Sequence, residues 1–184
     1  MNKLLLFVAF FLANLSFSQT FTGSGGPILD QNTVSFNLNV AGLTSNIDTV
    51  NFGLESVCIN LNHTYLADLE IRLIAPSGEE VILLSGIGGG GDNLVNTCFN
   101  ADASTSIASG TAPFTGEFTP SGQLGFINAG VTGNGNWILK VTDNAANDVG
   151  NLINWKLIFG TNPATYSVFT SSNLPIVVIN TNGQ

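Results

Sequence analysis

Apolar and polar residues alternate with a period of two along most of this chain. Val34, Phe36, Leu38 and Val40 share one face of a first predicted strand, with Ser35, Asn37 and Asn39 on the other, as expected of a strand that lays one face on a core. Val50, Phe52 and Leu54 keep one parity while Val57, Ile59 and Leu61 keep the other. One strand therefore carries an extra residue, a β-bulge, near Glu55 and Ser56, and it runs on into Asn62 and His63. Leu69, Ile71, Leu73 and Ala75 then alternate with Glu70, Arg72 and Ile74 as far as Pro76. Proline has no N–H to give to a ladder and Ser77-Gly78 suit a turn, so Val81, Ile82, Leu83 and Leu84 read as the returning arm of a hairpin.

The later pattern is of the same kind. Thr97, Cys98 and Phe99 form a short strand, and the 116–120 run, closed by Pro120, is a short edge strand. Residues 124–127 fit neither period. Trp137, Leu139 and Val141 share one face, and Leu152, Trp155, Leu157 and Phe159 supply another, which places both tryptophans between two sheets rather than on the surface. Helical periodicity is found nowhere. Strands of this length between Gly- and Asn-rich turns predict an all-β fold, a two-sheet antiparallel β-sandwich, jelly-roll-like, over 34–160. The Gly-, Ser- and Thr-rich stretch 19–33 reads as a lead-in loop. Residues 161–184 read as a linker followed by the start of a further, truncated segment, in which Leu174, Ile176, Val177, Val178 and Ile179 are apolar; the alternative is a strand folded back on the sandwich edge.

Composition changes the picture at the N-terminus first. Lys3, the apolar run 4–13 and the small residues Ser16 and Ser18 have the layout of a secretory signal peptide over 1–18, which implies a secreted or cell-surface protein. The apolar run is shorter than the ~20 residues of a membrane-spanning helix, so no membrane span is expected. Once the signal segment with Lys3 is removed, twelve carboxylates face Arg72, Lys140 and Lys156, which takes the net charge from minus eight to minus nine. Such a surface repels phosphate backbones, which excludes nucleic acid as a partner. Cys58 and Cys98 are the two cysteines; in an exported chain they read as a disulfide, since two thiolates fall short of a structural zinc site and no Cys-x-x-Cys redox motif is present. That bridge would bring Asp92 and Asp102 to one region and leave Asp143 and Asp148 elsewhere.

The chemistry of serine and zinc hydrolases is missing, and among the plentiful carboxylates none forms a recognisable acid/base pair for glycoside hydrolysis. A serine hydrolase needs a base histidine beside a nucleophile and an orienting carboxylate, and His63 is the single histidine. At the end of an apolar strand it reads as a structural residue, hydrogen-bonded to a neighbouring loop or to Asp68. Zinc catalysis fails for the same want of histidines. The glycine run 86–91 lacks the Gly-Lys-Ser/Thr ending of a phosphate loop and reads as a plain loop. Calcium is the cofactor that the acidic loops suggest: Asp143, Asn144, Asn147 and Asp148 offer hard oxygen ligands within one turn, with Asp68, Asp92 and Asp102 as further candidates. The alternative is that the same side chains make Asx turns.

Several of these features fall in an order that resembles a known family. His63, a short gap, Asp68-Leu69, an alternating strand and Pro76-Ser77-Gly78 are similar to the P domain, or Homo B domain, that follows the catalytic domain in kexin, furin and many bacterial subtilisin-like proteases. Gly135, Trp137, Leu139, Val141 and Asp143, then Asp148, Gly150, Leu152, Trp155 and Leu157, resemble the closing part of the same family. The resemblance covers 34–160. It implies a non-catalytic module that packs on another protein domain, in the same full-length chain or a neighbouring protein, and helps it fold, stay stable and respond to calcium and pH. Any serine-type endopeptidase label would belong to the companion domain. The alternative function is a surface adhesion or carbohydrate-binding jelly roll, for which Tyr65 and Tyr166 are the candidate stacking rings.

Overall fold

The computed structural model describes residues 18–168. Two sheets face each other. The first has the order β1-β11-β4-β7-β8 and the second β2-β10-β5-β6, with a small β3-β9 pair at one end. The strands are β1 (Gln19–Ile28), β2 (Thr33–Val40), β3 (Asn46–Ile47), β4 (Gly53–His63), β5 (Leu69–Ile74), β6 (Glu80–Ser85), β7 (Leu94–Asn100), β8 (Phe114–Phe118), β9 (Val131–Thr132), β10 (Gly135–Asp143) and β11 (Gly150–Gly160). All pairs are antiparallel except β7 with β8. The expected all-β sandwich is therefore present, with a parallel edge strand.

Alternation located its walls correctly. Leu69, Ile71, Leu73 and Ala75 are buried, as are Trp137, Leu139 and Val141 opposite Leu152, Trp155, Leu157 and Phe159. The bulge falls where the parity switches: Ile158 pairs with Ser56 and Phe159 with Leu54, leaving Glu55 as the extra residue. Its carboxylate is thereby turned to accept the N–H of Asn162 at 2.8 Å. Val50 breaks the alternation and stays exposed, because Asp48 accepts the N–H groups of Val50 and Asn51 and bends the chain before β4 begins. Residues 124–127 form a 3₁₀ turn.

Two boundaries move. The lead-in loop expected over 19–33 is largely strand β1, paired with β11 from Gln19↔Phe159 to Ile28↔Gly150. Its glycines serve close approach rather than flexibility: a Cβ on Gly23 would lie 2.3 Å from the indole nitrogen of Trp155. Only a chain without side chains there can cover the tryptophan. At the other end, the linker expected from 161 is still part of the sandwich as far as 168. The N–H of Ala164 donates to Leu54 O at 2.8 Å, the buried Asn128 amide donates to Ala164 O at 2.9 Å, and Tyr166 stacks on Phe126 with ring centroids 4.6 Å apart. The signal peptide, apart from Ser18, and the apolar tail beyond 168 lie outside the described residues.

Candidate functional site

His63 ends β4 where the strand leaves the sandwich, and its side chain is fully buried with that of Asp143. Nε2 of His63 lies 3.3 Å from Oδ2 of Asp143, and Nδ1 lies 3.2 Å from the N–H of Tyr65. Nδ1 also lies 3.0 Å from the carbonyl oxygen of Tyr65, so the ring is held between the Asp143 carboxylate and the Tyr65 backbone, and the tautomer sets which nitrogen donates. Asp143 uses its other oxygen to accept the N–H of Ala145 at 3.1 Å, the Asx turn weighed for this loop. The histidine's own N–H donates to Asn93 Oδ1 at 3.1 Å. Gly150 lies beside the ring, and a Cβ there would stand 2.5 Å from His63 Cδ2. The histidine, the glycine and the aspartate thus form one packing unit.

The β10–β11 loop folds over this unit. Thr64 Oγ1 donates to Asp148 Oδ1 at 2.7 Å, and the backbone and side-chain amides of Asn144 donate to Asp68 O at 2.9 and 3.1 Å. Partial loss of hydration, with the charges of Asp148 and Asp143 close by, raises the carboxyl of Asp68 above its ordinary value. Asp92 stands on the same end, in a concavity shared with His63 and Val149. Asp102 does not. Its Oδ2 accepts the amide of Asn162 at 3.3 Å beyond the far end of β7.

Cys58 and Cys98 form the expected disulfide, facing each other across β4 and β7. The bridge does not unite Asp92 with Asp102: one precedes the seven-residue strand β7 and the other follows it, and such a strand spans ~23 Å. Asp148, expected elsewhere, instead reaches Thr64, because β11 pairs with β4. The partner of His63 is Asp143 and not Asp68. Pro76 and Gly78 form the β5–β6 turn at the opposite end, where Gly78 has φ +100, and Trp137 and Trp155 are core. Among the described residues, no group of three His, Cys, Asp or Glu side chains is arranged to hold a metal ion. Asp102 lies a strand length from Asp68, Asp92, Asp143 and Asp148, so the five candidates do not share one site.

This geometry can hold two loops on a strand end, and it keeps the imidazole of His63 buried. The family model described as proprotein convertase P-domain matches residues 55–159. The chain belongs to the P-domain family. The matched part of this P domain holds His63, Gly150 and both tryptophans, whereas β1 and β2 lie outside it. The P domain is 33% identical over 126 residues to leupeptin-inactivating enzyme 1 of Streptomyces exfoliatus, covering 68% of this chain and 22% of that protein. It is 30% identical over 150 residues to a transglutaminase-activating metalloprotease of Streptomyces mobaraensis, covering 78% of this chain and 16% of that protein. The chain thus spans about a fifth of the length of these relatives. A crystal structure of a serine protease of Aeromonas sobria aligns with a TM-score of 0.44 at 21% identity, over 78% of this chain and 26% of that one. Among the described residues, no helix is long and apolar enough to cross a membrane.

Sequence reasoning did not find Asn93, Thr64 or the pairing of His63 with a residue 80 positions away. The order of motif residues was the available signal: His63, Asp143 and Gly150 belong to the motifs on which the resemblance rests, and they meet in space.

Proposed function

We propose that this chain is a non-catalytic P-domain module of an exported bacterial protein, which packs on a companion domain and stabilises it. The observation that carries this reading is the burial of the single histidine against Asp143 and Gly150. A catalytic base must reach the proton that it removes, and this ring is sealed. The relatives support the same reading. Their names describe enzymes that include a metalloprotease, whereas the motifs of this chain resemble the domain that follows the catalytic domain of subtilisin-like proteases. A module shared by different catalytic chemistries acts beside the chemistry.

Two measurements test this. The purified chain is expected to take no label from a fluorophosphonate serine-hydrolase probe; labelling abolished by His63→Ala would overturn the reading. Residues 18–168, placed in the leupeptin-inactivating relative instead of its matching segment, are expected to restore folded enzyme that deletion of the segment loses. A chimera no better folded than the deletion removes the stabilising role. Calcium enters only as a cation that screens Asp68 from Asp148. Millimolar calcium is expected to raise the melting temperature of the wild type and not of Asp68→Asn, and equal curves in calcium and in chelator exclude it.

The adhesion alternative loses support, since Trp137 and Trp155 are core and the ring of Tyr166 is taken by Phe126. Tyr65 is left as an exposed single ring, beside the exposed stacked pair of Phe126 and Tyr166.

A further inference from the structure

The His63 end of the sandwich is apolar where a surface should be polar. Leu29 is 51% exposed, Val149 65% and Tyr65 42%. They are neighbours by register: Ile28 pairs with Gly150 and Gly150 with His63, so Leu29, Val149 and Thr64 form the next row across three strands. Tyr65 follows directly. Carboxylates ring this row. Asp30 Oδ2 accepts the N–H of Asn147 at 3.3 Å, Asp148 is held by Thr64, Asp68 stands beside Asp148, and Asp92 is exposed across the concavity.

No cation answers them. Arg72 and Lys140 are paired with Glu70 and Glu80 on the outer face of the second sheet. Lys156 sits opposite Cys58 in mid-strand. Among the described residues, neither Lys nor Arg lies at the His63 end. The carboxyl of Asp68 is raised by partial burial first and then by the nearby charges of Asp148 and Asp143.

We propose that Leu29, Tyr65 and Val149, within their ring of carboxylates, form a docking surface for a protein segment that presents apolar side chains among lysines and arginines. Exposed apolar groups with a charged rim are the anatomy of a recognition surface. The sign of the rim selects a basic partner and rejects a second copy of this chain. The buried His63–Asp143 pair and the loops tied to it fix the surface before binding, which spares part of the ordering cost. The proposal rests on the accessory reading only for the identity of the partner, the companion domain.

The test uses the full chain and a 12-residue peptide alternating Leu with Arg, followed by amide NMR. Binding is expected with shifts confined to 29–30, 64–65 and 147–149, and a Leu-Glu peptide is expected not to bind. Leu29→Ser with Val149→Ser should weaken binding by about tenfold or more. Asp30→Asn with Asp92→Asn should weaken it and flatten its dependence on salt, since a Debye length of ~10 Å at 0.1 M screens such pairs. All four positions are exposed, and unchanged melting confirms that the variants are folded. No binding, shifts that map elsewhere, or full affinity in the serine variant would overturn the proposal. Self-association of the chain that Val149→Ser abolishes would overturn it too, by assigning the surface to a second copy. A failed chimera with intact peptide binding removes the companion and leaves the surface.

Discussion

Asp143 and Asp68 stand at the same end of the sandwich and respond to opposite demands. Asp143 is 2% exposed, and its carboxyl group lies 3.3 Å from His63 Nε2 and accepts the N–H of Ala145. Replacing it with alanine strands a buried imidazole nitrogen and the N–H of Ala145, so Asp143→Ala is expected to cost ~1 to 3 kcal/mol in chemical denaturation. Asp68 is half-exposed beside Asp148, and its carboxyl holds a proton more tightly in the folded chain than in the unfolded one. Its contribution is thus fully present below the ordinary carboxylate range and is lost as pH rises through its raised value. Asp68→Asn is expected to melt higher than the wild type at pH 7 and to gain nothing at pH 3, as thermal scans at the two values would show. Glu70 and Glu80 run the other way, because hydrogen bonds from Arg72 lower both; their contribution is lost as pH falls.

The disulfide belongs to the scale of elements, since it staples β4 to β7 within one sheet. It closes a loop of 40 residues, worth ~4 kcal/mol in the chain-entropy model. Replacing both cysteines with alanine should lower the denaturation midpoint accordingly; an unchanged midpoint would show that the Asn60 contacts with Asn96 and Asn154 hold these strands unaided. Strands with one buried face were legible in the sequence, because Leu69, Ile71 and Leu73 or Trp137, Leu139 and Val141 must alternate to reach a core. β1 was not legible: its glycines look like loop chemistry, and the reason for them, the indole of Trp155, lies more than 130 positions away. The two-residue strands β3 and β9 are too short to show a period. The candidate site was half legible, for Asp143 was marked by its loop while its partner was fixed by β4 pairing with β11 and β5 with β10.

For the molecule as a whole, the strap at 161–168 decides where the domain ends. Asn128 is 4% exposed and its amide serves both Leu54 O and Ala164 O. A chain stopped after Gly160 would keep every strand and lose the Ala164 contacts and the Phe126–Tyr166 stack. Its melting temperature is expected to fall by several degrees relative to a chain stopped after Val168, for a loss of ~2 kcal/mol from two hydrogen bonds and a buried alanine. Equal curves would show that the strap is dispensable.

The register of β1 with β11 also fixes the directions in which the polypeptide departs. Gln19 lies beside Phe159, and the ten-residue β1 runs from there toward Leu29 and the carboxylates. That length corresponds to ~30 Å. Gln19 and Gly160 therefore stand at the pole opposite the acidic one. A covalently tethered companion that touches the acidic pole must send a linker back along the sandwich, at least ~9 extended residues long. A separate molecule faces no such limit of reach, so shortening the tether tells the two arrangements apart.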